Sequence, residues 1–173
     1  MNNKFLIVSL KAPLSLPWGG NAWYEISYSE NAEKWTNIPQ AKDSRALILE
    51  CISTIKKEYN TGDTYLLGFS QGAILSYSLS LSNPEKFKGI LALSGYIEPK
   101  LIPEKLTANK YPDYFGSHGV QDPVIPIDWA CKAETILKLN AIQLEFNTYE
   151  MAHGINPDCF RDMVNWLESR NLM

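Results

Sequence analysis

The sequence predicts an α/β protein: a mainly parallel sheet of about five strands joined by crossover helices. Short apolar runs alternate with helical patterns along the whole chain of 173 residues. No repeat, low-complexity tract or flexible linker interrupts them. Hydrophobic residues make up 45% and charged residues 20%, a globular balance that excludes disorder. This length suits one domain, 1–173, with its own core.

Each element has a local reason. Lys4 to Ser9 is a short apolar run and is expected as the first, buried strand. A loop with Pro13, Pro17, Gly19 and Gly20 follows. Ala41 to Tyr59 is expected as a helix, because Leu47, Ile48, Cys51, Ile52 and Ile55 fall at helical spacing. Gly62-Asp63 turns the chain into a strand at Thr64 to Phe69. A second helix, Ser70 to Ser82, is stopped by Asn83-Pro84. Lys88 to Leu93 is a strand, and Tyr111 to Ser117 a weaker one interrupted by Asp113 and Gly116. Pro126 to Leu139 is a helix and Ala141 to Tyr149 a strand. Asn156-Pro157 caps and opens a last helix to about Asn171. Sites in such folds sit at the carboxyl ends of the strands.

Charge and cysteine content narrow the function. Sixteen Lys+Arg against 19 Asp+Glu give −3 and a pI near 5.4. No basic patch is implied, and nucleic acid is excluded as the expected partner. Cys51, Cys131 and Cys159 are widely spaced, odd in number and without a CxxC pair. They are expected as buried free thiols, not a disulfide framework or a zinc site. The apolar run Phe5–Val8 is too short for a signal peptide or a membrane span, which makes the cytoplasm the expected location, without stable membrane insertion.

The chemistry concentrates at three strand ends. Gly68-Phe69-Ser70-Gln71-Gly72 is a G-x-S-x-G string with a strand before it and a helix after it. That is the context of a nucleophile elbow, where a strained Ser projects above the sheet and flanking glycines relieve clashes. The plainer alternative is a glycine-rich turn with an N-cap Ser. A Ser hydroxyl needs a neighbouring base, and the chain has two histidines, His118 and His153. The order Ser, acid, His found with such elbows selects Ser70, Asp122 and His153. Asp122 would hold the His153 tautomer and stabilise its imidazolium; alternatively, Asp122-Pro123 merely starts a turn. His153 is alternatively a satisfied loop histidine. His118 is read as structural, a strand-end histidine bonded to nearby backbone.

Together these segments resemble the phospholipase/carboxylesterase family of α/β-hydrolases, which includes the acyl-protein thioesterases. The resemblance rests on the elbow down to its Phe69 and Gln71, on His118-Gly119 through Asp122-Pro123-Val124-Ile125-Pro126, and on His153-Gly154. Ala12-Pro13 and Gly19-Gly20-Asn21-Ala22-Trp23-Tyr24 add to it. It implies an α/β-hydrolase fold, with Ser70 as nucleophile, Asp122 as acid and His153 as base. It also implies hydrolysis of a small-molecule ester or thioester through an acyl-enzyme without a cofactor. The Gln71 amide would supply half of the oxyanion hole. Trp18 and Trp23 either line an acyl pocket or pack under a long loop.

The family pattern also carries further N-terminal strands and a His-Gly-x-Gly loop for the other oxyanion donor. The sequence has no such segment before Lys4, so the fold is expected to be N-terminally shortened. Three readings stand: a start upstream of Met1, a short variant with a rebuilt oxyanion site drawing on Gly19 or Gly20, or a weakly active relative. The competing function is a hydrolase-fold binding or assembly module with little catalysis. An uncovered sheet face would favour a homodimer.

Overall fold

The computed structural model describes residues 5–28 and 34–170. They form two compact units, one over residues 5–62 and the other from Asp63 onward.

The first unit holds two small antiparallel pairs and a long helix. β1 (Leu14–Ser15) pairs with β2 (Asn21–Ala22), and β3 (Ile26–Tyr28) with β4 (Lys34–Thr36). Gly19 and Gly20 adopt φ of +94° and +84° at the tip between β1 and β2, where a side chain would be strained. α1 (Ile38–Tyr59) starts three residues before the expected Ala41. The cause is Asn37, whose side chain accepts from the Gln40 amide at 3.2 Å, with Pro39 in the first turn. Asn60 ends the helix in the left-handed region. Of its predicted apolar stripe only Ile48 is buried, together with Ala41 and Ser44.

The expected first strand does not form. Lys4 lies outside the described residues, and residues 5–9 are in no strand. Apolar side chains alone do not make a strand: the backbone N–H and C=O groups need a ladder partner. Phe5 to Val8 are exposed, Ile7 at 87%.

The second unit is a parallel sheet with four strands, not five, in the order β5-β6-β7-β8. β5 is Tyr65–Phe69, β6 Gly89–Leu93, β7 Asp113–Gly119 and β8 Leu144–Tyr149. The helices are α2 (Gln71–Ser82), α3 (Ile127–Leu139) and α4 (Pro157–Glu168). The register aligns Phe69, Leu93 and Ser117, so Ser70 and Ser94 leave the sheet at one level, while β7 runs on through His118, paired with Thr148, to Gly119.

Packing follows the alternation of each strand. On one face Leu91, Leu93 and Phe115 meet Met163 and Trp166 of α4. Cys159, Met163 and Trp166, three to four residues apart, are the buried stripe of that helix. On the other face Tyr114 donates to Ser80 of α2 at 2.9 Å. α2 is buried from Ala73 to Leu81; Ser76 Oγ donates to Gly72 O and Ser80 Oγ to Ser76 O within the helix, whereas Ser78 Oγ donates to Leu101 O. Gly116 does not interrupt β7, which runs on to Gly119. A Cβ there would lie 2.8 Å from the Phe146 ring and 3.1 Å from the Tyr77 hydroxyl, so glycine lets the neighbours close. Cys159 is buried as expected, whereas Cys51 and Cys131 are only half-buried; all three are free. Among the described residues no helix is long and apolar enough to cross a membrane.

Candidate active site

Ser70 is the single residue between β5 and α2, with φ +54° and ψ −117°. A side-chain-bearing residue held there costs roughly 1–3 kcal/mol, which the surroundings must offset. The Ser70 amide donates to Leu93 O at 2.9 Å, and its carbonyl accepts from Ala73 and Ile74 at 3.0 and 3.1 Å. The strain expected of an elbow is therefore present and pinned at both ends. The two elbow glycines are not equivalent. A Cβ on Gly68 would sit 2.2 Å from Gly72 O, whereas one on Gly72 would meet nothing within 4 Å. The expectation that both relieve clashes holds for Gly68 only. Gly95, which the sequence reading missed, is required too: its Cβ would lie 2.5 Å from Ala73 Cβ. The signal was a Ser-Gly pair directly after a strand.

Asp122, His153 and Ser70 meet although 31 and 83 residues separate His153 from the other two. His153 Nδ1 lies 2.7 Å from Asp122 Oδ2, and His153 Nε2 lies 3.0 Å from Ser70 Oγ. A carboxylate can only accept, so Nδ1 carries the hydrogen and Nε2 accepts from the Ser70 hydroxyl. Asp122 has a fully buried side chain, and His153 is 16% exposed. The two Asp122 oxygens divide between the turn and His153. Oδ1 accepts from the Val124 and Ile125 amides at 2.8 and 2.9 Å, leaving Oδ2 for His153. Burial pushes the Asp122 carboxyl up. The hydrogen bonds from His153, Ile125 and Val124 and the His153 charge outweigh it, so the group lies below its ordinary 3.8.

The acid and base loops are bonded side by side. Val120 N donates to Tyr149 O at 3.0 Å and Gln121 N to Met151 O at 3.2 Å. Gly119 makes that approach feasible, since a Cβ on it would lie 2.2 Å from Met151 O. Ser94 Oγ donates to Gly154 O at 3.3 Å, tying the base loop to the end of β6. The Phe69 ring lies 4.8 Å from the His153 ring. His118 is bonded to nearby backbone as expected: it is fully buried, with Nε2 2.8 Å from Ile125 O.

Gln71 is the first residue of α2, next to Ser70 at the positive end of the helix. The aromatic candidates belong to the first unit. Trp18 is 81% exposed, so packing under a loop does not describe it. Trp23 is half-buried, and its carbonyl accepts from the Ser44 hydroxyl. The Gly19 amide donates to Leu16 O at 3.0 Å within the β1–β2 turn.

A parallel sheet with a strained serine elbow after one strand, an aspartate after the next but one and a histidine after the last defines an α/β-hydrolase. A family model for Phospholipase/Carboxylesterase matches residues 4–171. The chain is 30% identical over 156 residues to acyl-protein thioesterase 1 of Kluyveromyces lactis, aligning 84% of this chain with 67% of that protein. It is 29% identical over 171 residues to acyl-protein thioesterase 1 of Yarrowia lipolytica, aligning 90% of this chain with 72% of that protein. Among solved structures, esterase PE8 superposes with a TM-score of 0.78 at 26% identity, covering 94% of this chain and 76% of that one. The chain belongs to the phospholipase/carboxylesterase family and is a hydrolase of the carboxylesterase/thioesterase type.

Proposed function

We propose that the protein hydrolyses carboxylic esters or thioesters through an acyl-enzyme on Ser70, with His153 as general base and acid and Asp122 as its orienting carboxylate. The observation that carries this is the unbroken hydrogen-bonded chain from Asp122 Oδ2 through His153 to Ser70 Oγ. As Oγ bonds the acyl carbon, its proton passes to His153 Nε2. The Gln71 amide, at the start of α2, is the proposed donor to the carbonyl oxygen as it gains negative charge. Collapse of the tetrahedral intermediate breaks the bond to the alcohol or thiol, which leaves with the proton from Nε2. Water then attacks the acyl-enzyme, giving its proton to the same nitrogen and releasing the acid and free Ser70. The names of the two fungal relatives support thioesters among the substrates.

The test is covalent labelling by a fluorophosphonate together with hydrolysis of short-chain p-nitrophenyl esters. Both are expected in the wild type, and both should vanish in Ser70→Ala. A folded wild type that is neither labelled nor active would overturn the catalytic reading in favour of a binding module. For the acyl side, Trp18 and Trp23 are proposed on the sequence resemblance and the chemistry of indole. Trp18→Ala is expected to raise KM for long-chain esters and to leave acetyl esters unaffected.

A further inference from the structure

His118 is a buried polar ring that the proposed reaction does not use. Its side chain is fully inaccessible, and Nδ1 has no hydrogen-bond partner among the described residues. Nε2 has two neighbours: Ile125 O at 2.8 Å and Asp122 Oδ2 at 3.3 Å. Both are acceptors, so Nε2 carries the hydrogen. Nδ1 faces no acceptor, so Nε2 is the nitrogen through which the ring donates. Burying an imidazole with an unpaired nitrogen has its own cost. The hydrogen-bearing edge of the ring is aimed at the loop 120–125 that carries the carboxylate.

We propose that His118 is a positioning residue for Asp122. It holds the Ile125 carbonyl, and thereby the turn whose amides bond Oδ1. It also turns the positive end of its N–H toward Oδ2, the oxygen that receives His153. Val124 N, Ile125 N, His153 Nδ1 and His118 Nε2 then surround the carboxylate. The carboxylate has one orientation left, and it fixes the tautomer and the aim of His153. The inference rests on the catalytic reading of Ser70, Asp122 and His153 for its consequence in turnover. The hydrogen-bond network itself can be read without turnover.

The experiment compares His118→Leu, His118→Asn and His118→Gln in the full chain. The amide nitrogen of Gln stands as many bonds from Cα as the ring Nε2, whereas that of Asn stands only as far as Nδ1. Gln should therefore restore the function and Asn should not. With only two histidines in the chain, ¹⁵N-histidine labelling leaves His153 as the sole ring signal in each variant. In His118→Leu and His118→Asn, kcat is expected to fall by about 10- to 100-fold with KM unchanged. The low-field Nδ1–H resonance of His153 should move upfield or broaden. His118→Gln is expected to restore both. Wild-type kcat in folded His118→Leu overturns the proposal, as does lost activity with an unmoved His153 resonance. If His118→Leu does not fold, identical kcat and resonance in the Asn and Gln variants overturn it. A wild type without esterase activity defeats the catalytic reading instead, while the His153 resonance still reports whether His118 orders the pair.

Discussion

Asp122 does two jobs because its carboxylate has two oxygens. Oδ1 closes the Asp-Pro turn and Oδ2 holds His153, so replacing it by Asn keeps the turn and spoils the pairing. Asp122→Asn is expected to lower kcat by about 10⁴-fold, as the amide favours the wrong tautomer. The pH dependence follows from the lowered carboxyl value. The unfolded chain takes up the proton at a higher pH than the folded one. The stabilisation from the ionised carboxylate is thus complete above the ordinary 3.8 and fades as pH falls through the lower folded value. Thermal unfolding should show a stability gap between wild type and Asp122→Asn that is constant above pH 5 and narrows in acid; a gap that widened in acid would refute the sign. The candidate residues were legible from order and spacing. The distances of 2.7 and 3.0 Å were not, because they depend on how two loops lie against each other.

At the scale of elements, the elbow separates its two glycines. Gly68→Ala drives a Cβ into the backbone carbonyl of Gly72 and should cost at least about 1–3 kcal/mol, while slowing fluorophosphonate labelling. Gly72→Ala meets no neighbour and gains helix propensity of about 1 kcal/mol, so unfolding should show an equal or higher melting temperature. The G-x-S-x-G pattern alone treats the two alike. The helix ends show the same division. Asn156-Pro157 was readable as a cap, and it is one: the Asn156 side chain accepts from the Cys159 amide. The Asn37 cap precedes the apolar periodicity, with Pro39 in the first turn, so α1 begins earlier than the periodicity alone shows. Asn37→Ala should lower stability by about 1 kcal/mol in denaturant unfolding without touching labelling of Ser70.

At the scale of the molecule, the sheet core depends on a ring packed against the two central strands, β6 and β7. Trp166 is 2% exposed and packs with Leu91, Leu93, Phe115 and Met163. Its indole also approaches Gly89, where a Cβ would lie 2.9 Å away. Trp166→Ala is expected to cost about 3–5 kcal/mol, measured by chemical denaturation.

The sequence by itself determined the α/β alternation, the parallel strands from Tyr65 onward and Ser70, Asp122 and His153 as the candidate residues. Those features follow from local periodicity, from turn chemistry and from a fixed order along the chain. Tertiary structure decided the rest. It denied strand status to Phe5–Ser9, because a strand is a property of a pair and not of a segment. It extended β7 through Gly116, since only the packed neighbours reveal which glycines make room for a side chain. It also set the buried His118 beside Asp122, because the side of a loop that faces a carboxylate is fixed by contacts far apart in the chain.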